Sequence, residues 1–247
     1  MKLKTRQENP KQHVDLLFGR HAVEAALHNQ KRRLIELWGT KNALQELRYK
    51  PKCKVTISHP NDLEKIIGHD EAHQGLVLKS APLDVKNEDD LARIDWSRPN
   101  EKALMLDQVT DPRNIGAIMR SAVAFGVNRL ILQDRHSPSF DRVLAKTASG
   151  AREHVSIYTV TNLSRTLQML REEQAWSTGL SGAANIKLCP GSLHATNILV
   201  LGAEGKGMRR LVGENCDDLQ FIPIETMESL NVSNAAAIAL FNWGLDN

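Results

Sequence analysis

Aromatic residues make up only 4% of the 247-residue sequence, too few for a base-stacking platform of the kind that holds single-stranded nucleic acid. Cysteine is scarce too. Cys53, Cys189 and Cys216 are three in number and widely spaced, which excludes a disulfide framework and a zinc knuckle and points to a reducing compartment. No apolar run approaches membrane-spanning length, and residues 1–10 lack the apolar stretch of a secretory signal. A cytoplasmic protein without a membrane partner is expected. Two phosphate-binding signatures are also missing: the glycines from Gly202 to Gly207 have neither GxxxxGK[ST] spacing nor a hydroxyl after Lys206, and no GxGxxG fingerprint occurs. That disfavours a nucleotide-hydrolysing switch. The nine histidines form no convincing ligand cluster, so no metal is expected.

What is present is an uneven charge. Residues 1–54 hold 13 Lys and Arg against 5 Asp and Glu, leaving the other 193 residues with 19 against 24. Clusters such as Lys31-Arg32-Arg33 and Lys50-Pro51-Lys52-Cys53-Lys54 suit either phosphate contacts or a solvated face. Short apolar runs alternate with helical periodicity throughout. Upstream, strands are predicted at 34–38, 55–58 and 76–78 and helices at 21–30, 42–48 and 61–67, a small α/β domain. An acidic stretch followed by Trp96-Ser97-Arg98-Pro99-Asn100 reads as a linker over 83–100. Downstream, strands at 103–106, 130–132, 156–160, 198–201 and 219–222 alternate with helices at 114–125, 142–149, 163–173, 208–215 and the C-terminus, the pattern of a buried parallel sheet with crossover helices.

Three loops follow predicted strands, where open α/β sheets bind ligands. The first, Asp107 to Gly116, leads into a helix whose Arg120 interrupts the apolar residues Ile115, Ile118, Met119, Ala122 and Val123. A guanidinium in an interior requires a partner, either a ligand or a structural carboxylate. The second, Leu201-Gly202-Ala203-Glu204-Gly205-Lys206-Gly207, puts a carboxylate inside a tight glycine turn. The third runs from Ile222-Pro223 to Ser229-Leu230-Asn231-Val232-Ser233-Asn234, four small polar residues directly before an alanine-rich last helix. Ser229 as a plain helix cap is the simpler alternative.

In order and spacing the three loops resemble the motifs of the SPOUT superfamily of RNA methyltransferases, and within it the TrmH family of ribose 2′-O-methyltransferases. Asn114-Ile115-Gly116 with Arg120 is similar to its first motif, Gly202-Ala203-Glu204-Gly205 to its second, and Ile222-Pro223 with Ser229 to Ser233 to its third. The segments Phe18-Gly19-Arg20 and His73-Gln74-Gly75 resemble the L30-like substrate-binding domain of long members, the branch that methylates guanosine in bacterial 23S rRNA. The resemblance implies a basic tail at 1–15, an L30-like RNA-binding domain at 16–82 and a catalytic domain at 101–247. That domain would hold a parallel sheet, helices on both faces and a deep trefoil knot, and would form a homodimer through close approach of Ala235, Ala236 and Ala239. S-adenosylmethionine is the implied cofactor, with Leu201, Gly202, Ile222, Pro223 and Leu230 around it. Arg120, Asn114, Glu204, Ser229 and Asn231 are the implied catalytic residues, and Arg20, Lys31, Arg32, Arg33 and Arg113 the cations expected to meet RNA, from 23S rRNA or the assembling large subunit. The stretch from Ile222 to Ser229 is about one residue short of the family pattern. Methylation of tRNA ribose, and RNA binding without catalysis, remain alternatives.

Overall fold

Alternating apolar runs and amphipathic segments produce two sheet-and-helix units in a computed structural model, which describes residues 14–69, 71–98, 100–134 and 142–245. The units are Met1–Leu83 and Asp84–Asn247. Of the expected tail, residues 1–13 lie outside the described residues, and Asp15 already begins a strand.

In the first unit, β1 (Asp15–Phe18), α1 (Arg20–His28), β2 (Leu34–Gly39), α2 (Lys41–Gln45), β3 (Lys54–Ile57), α3 (Pro60–Ile67) and β4 (Leu76–Ser80) follow in order. β4 is internal because Leu76, Val77 and Leu78 leave no surface exposed. It pairs antiparallel with β1 and β2, and β3 extends the sheet parallel to β2. The two motif segments of this unit meet in space: the Gly19 amide donates to the His73 carbonyl at 3.2 Å, and the Arg20 amide to Gln74 Oε1 at 2.8 Å. Gly75 has φ 77°, and a Cβ there would come within 2.7 Å of Thr40 Oγ1. These residues therefore join the ends of β1 and β4.

The second unit contains β5 (Val85–Lys86), α4 (Glu88–Ala92), β6 (Ala103–Asp107), α5 (Pro112–Ala124), β7 (Arg129–Gln133), α6 (Arg142–Ala148), β8 (Ser156–Val160), α7 (Leu163–Glu172), β9 (Ser177–Leu180), β10 (Ile186–Lys187), β11 (Ile198–Gly202), α8 (Arg210–Glu214), β12 (Asp218–Phe221) and α9 (Val232–Leu245). Its eight strands pair in parallel in the order β10-β12-β9-β11-β6-β7-β8-β5. Strand alternation splits the core in two. Leu104, Leu106, Leu199 and Leu201 join Ile118, Met119, Ala236 and Leu240 of α5 and α9. Ala103, Met105, Ile198 and Val200 join Leu91, Leu167 and Val212 of α4, α7 and α8.

The stretch expected to be a linker is folded into this unit. β5 pairs with β8, a capping box between Asn87 and Asp90 starts α4, and Leu91 and Trp96 are buried. Its acidic run is the first turn of a helix, where carboxylates favour the positive end of the dipole. β9 has no apolar run because Ser177 and Thr178 are buried on hydrogen bonds to Asp217 and Thr196. A Cβ on Gly179 would come within 2.7 Å of Met208 Cε.

Candidate active site

The parallel register aligns the strand ends, so the loops after β6, β11 and β12 open at the same edge. Between the segments that follow β9, β11 and β12 lies a cavity of about 330 Å3, lined by Leu180, Leu201, Ile222, Leu230, Val232 and Ala235 on its apolar side and bordered by Glu204, Lys206, Glu228 and Ser229. That size and mixture suit a small organic ligand. The Ala203–Gly207 turn folds back on itself, the Ala203 amide donating to the Gly207 carbonyl at 3.1 Å and the Gly207 amide to the Ala203 carbonyl at 2.8 Å. Gly202 is required beneath it, since a Cβ would fall 2.1 Å from the Gly207 carbonyl carbon.

Asn231 ties the three loops together. Its Nδ2 donates to Asn114 Oδ1 at 3.2 Å and to Glu204 Oε2 at 2.9 Å. Its Oδ1 accepts from the Ser233 amide at 2.9 Å and the Ser233 hydroxyl at 2.6 Å, so Asn231, not Ser229, caps α9. Ser229 is left exposed on the cavity wall. α5 begins at Pro112 behind the Asp111 cap, which puts Asn114 in its first turn.

Arg120 is exposed, which corrects the expectation of an interior guanidinium. The apolar residues 115, 118, 119 and 122 face the core, while Arg113 and Arg120, seven residues apart, fall on the opposite side. Arg120 and Pro223 are not among the residues lining the cavity; Leu201, Gly202, Ile222 and Leu230 are. Leu180, Ser181, Gly182 and Glu228 also border it. The first three follow from β9, whose polar sequence hid the strand.

Arg32 is also corrected. Its side chain is 1% exposed, bound to Asp15 Oδ2 at 2.7 Å and to the Ala81 carbonyl at 2.8 Å, so it ties the first unit together rather than meeting RNA. Lys31 and Arg33 on either side are exposed. Arg20 is ion-paired with Glu46. Burial, aided by the nearby Asp217 carboxylate, pushes the Cys216 thiol up to about 12, which keeps it from serving as a nucleophile. Among the described residues no group of three or more His, Cys, Asp and Glu is placed to hold a metal ion, and no helix is long and apolar enough to cross a membrane.

The family model described as the SpoU rRNA Methylase family matches residues 101–241. The chain belongs to the SpoU rRNA methylase family. A second model, described as RNA 2′-O ribose methyltransferase substrate binding, matches residues 16–85. Similar SpoU relatives include the 23S rRNA (guanosine-2′-O-)-methyltransferase RlmB of Shewanella oneidensis, 37% identical over 92% of this chain and 95% of its own. The RlmB of Pasteurella multocida is 39% identical over 91% and 95%. Among solved structures, a putative RNA methyltransferase of the TrmH family from Porphyromonas gingivalis has TM-score 0.73 at 25% identity, covering 93% of this chain and 89% of that one. The SpoU methyltransferase AviRb of Streptomyces viridochromogenes, solved with AdoMet, has TM-score 0.76 at 19% identity over 94% and 89%, a likeness of fold.

Proposed function

We propose that the chain is an S-adenosylmethionine-dependent RNA ribose 2′-O-methyltransferase acting on a guanosine of 23S rRNA. The observation that carries the reading is the Asn114–Asn231–Glu204 junction, which joins three loops remote in sequence beside one cavity. The relatives of similar length named for that reaction support the substrate.

The cavity fits the cofactor: Leu201, Ile222 and Leu230 offer apolar walls for an adenine, and the Gly202 to Gly207 turn lines it largely with residues that carry little side chain. When bound, S-adenosylmethionine supplies a methyl group activated by its sulfonium. The chain's own residues position and stabilise. Asn231 and Asn114 hold the loops in register, Glu204 fixes the glycine turn, and Ser229 offers a hydroxyl at the wall. Arg120 meets the ribose 2′-oxygen and stabilises by its field the negative charge that develops there as the hydroxyl proton passes to solvent water.

Lys31, Arg33, Arg20 and Arg113 contact RNA phosphates in this reading, in the cytoplasm where ribosomal RNA is made. The active form is a homodimer whose interface includes the outer stripe of α9, where Ile238, Phe241 and Leu245 are 39%, 53% and 55% exposed. Ala236 and Ala239 are buried within the unit against α5, so these two alanines serve internal packing. The reading also includes a C-terminal segment threaded as a deep trefoil knot.

The test is transfer of labelled methyl from S-adenosylmethionine to total RNA of a strain lacking the protein, followed by mapping of ribose methylation. A guanosine in 23S rRNA is the expected acceptor; label confined to tRNA overturns the substrate, and none in any RNA overturns the activity. Arg120→Ala is expected to lower transfer by about a hundredfold or more with unchanged cofactor affinity.

A further inference from the structure

The carboxylate of Asp107 is wholly buried at the end of β6, and one residue, Arg209, engages both of its oxygens. Oδ2 accepts the Arg209 backbone amide at 2.7 Å, while Oδ1 accepts Nε at 2.8 Å and lies 2.7 Å from Nη2. The same Nη2 donates to Gln133 Oε1 at 2.9 Å, and Gln133 Nε2 donates to the Thr161 carbonyl at 3.0 Å. Asp107 is also the register partner of Gly202. A single residue of β6 therefore grips both ends of the Ala203–Gly207 turn: its backbone lies beside Gly202 where the turn begins, and its side chain holds Arg209 just after it ends.

We propose that Asp107, Arg209 and Gln133 form a latch that sets the position of the glycine turn, and through it the affinity of the cavity for the methyl donor. The inference rests on the donor assignment above. None of the three lines the cavity, so they are positioning residues acting through Ala203 to Gly207, which do. The planar guanidinium is the group that makes this geometry possible, because it meets Asp107 and Gln133 at once while the Arg209 backbone amide holds the second oxygen of Asp107. A lysine retains the charge and the backbone amide but lacks the fork. A leucine at 133 retains the strand and removes the outer acceptor.

The test uses the full chain without RNA: S-adenosylmethionine binding by calorimetry for the wild type, Arg209→Lys, Gln133→Leu and the double variant, with Tm and steady-state kinetics alongside. Arg209→Lys is expected to weaken binding about tenfold, the loss of one well-placed hydrogen-bonding group. At saturating donor, kcat stays within about threefold, and Tm within about 3 °C. Gln133→Leu should weaken binding less, and the double variant should add little to Arg209→Lys, because the two act as one unit. Unchanged donor affinity with a lowered Tm would make the pair a structural prop and overturn the latch. Unchanged donor affinity with a raised KM for RNA would make Arg209 an RNA contact and overturn it as well. A wild-type chain that binds no donor overturns the donor assignment and the latch together, whereas tight wild-type binding matched by the variants overturns the latch alone.

Discussion

Three adjacent cations show how little a charge run says about single side chains. Lys31, Arg32 and Arg33 read as one basic face, yet the middle residue points inward to Asp15 and the Ala81 carbonyl. Arg32→Ala leaves a half-sheltered carboxylate without its partner and should cost the first unit about 2–3 kcal/mol, seen as a lower denaturation midpoint. Lys31→Ala with Arg33→Ala should change stability by no more than about 0.5 kcal/mol. The same pair should reduce the salt dependence of RNA binding by about one to two counterions; an unaltered slope assigns these cations to solubility alone. Cys216 makes a second prediction. Its ordinary value of 9.0 is raised to about 12 in the fold, so the unfolded chain loses this proton first. The contribution to stability is complete below about pH 9 and drains away as pH climbs toward 12. Cys216→Ala should flatten that alkaline limb, and near neutral pH native-state alkylation should mark exposed Cys189 and spare Cys216.

At the scale of elements, the Ala203–Gly207 turn is the most constrained piece of the site. A methyl on Gly202 would run into the Gly207–Met208 peptide bond, 2.1 Å from its carbon and 2.2 Å from its nitrogen, and a peptide unit cannot rotate away as a side chain would. Gly202→Ala should therefore shift the turn and weaken S-adenosylmethionine binding by more than about tenfold, a result that calorimetry reads directly. The three loops were legible because glycine, asparagine and proline sit next to strong apolar strands such as 103–107 and 198–202. β9 was not, since Ser177, Thr178 and Gly179 solve their burial by hydrogen bonds and close packing rather than by hydrophobicity, and with it went the Leu180 to Gly182 wall of the cavity. The 83–100 stretch hides its structure for a related reason: its acidic run looks solvated, but it forms the first turn of α4, while Leu91 and Trp96 reach the core. Arg120 has apolar neighbours in sequence, but in the helix it belongs to the 113, 117, 120, 124 stripe opposite the buried one.

For the whole molecule, the exposed apolar stripe of α9 carries the prediction. Ile238, Phe241 and Leu245 share one helical side, and Phe241 stands edge-on to Phe125 with ring centroids 6.0 Å apart. Burying that stripe in a second copy is the natural relief. Light scattering should give the wild type twice the 27.6 kDa chain mass and Phe241→Asp the single mass, with methyl transfer falling alongside; a monomeric wild type with full activity removes the dimer from the mechanism. Another consequence follows from Asn231 joining Asn114 and Glu204. It is the last of the three to be synthesised, so a growing chain can complete β6 and β11 while their loops still have nothing to clasp them. With the junction serving methyl transfer as proposed, methylating capacity should arrive only when α9 leaves the ribosome, and a nascent fragment that stops short of it should fail to modify RNA in a transfer assay.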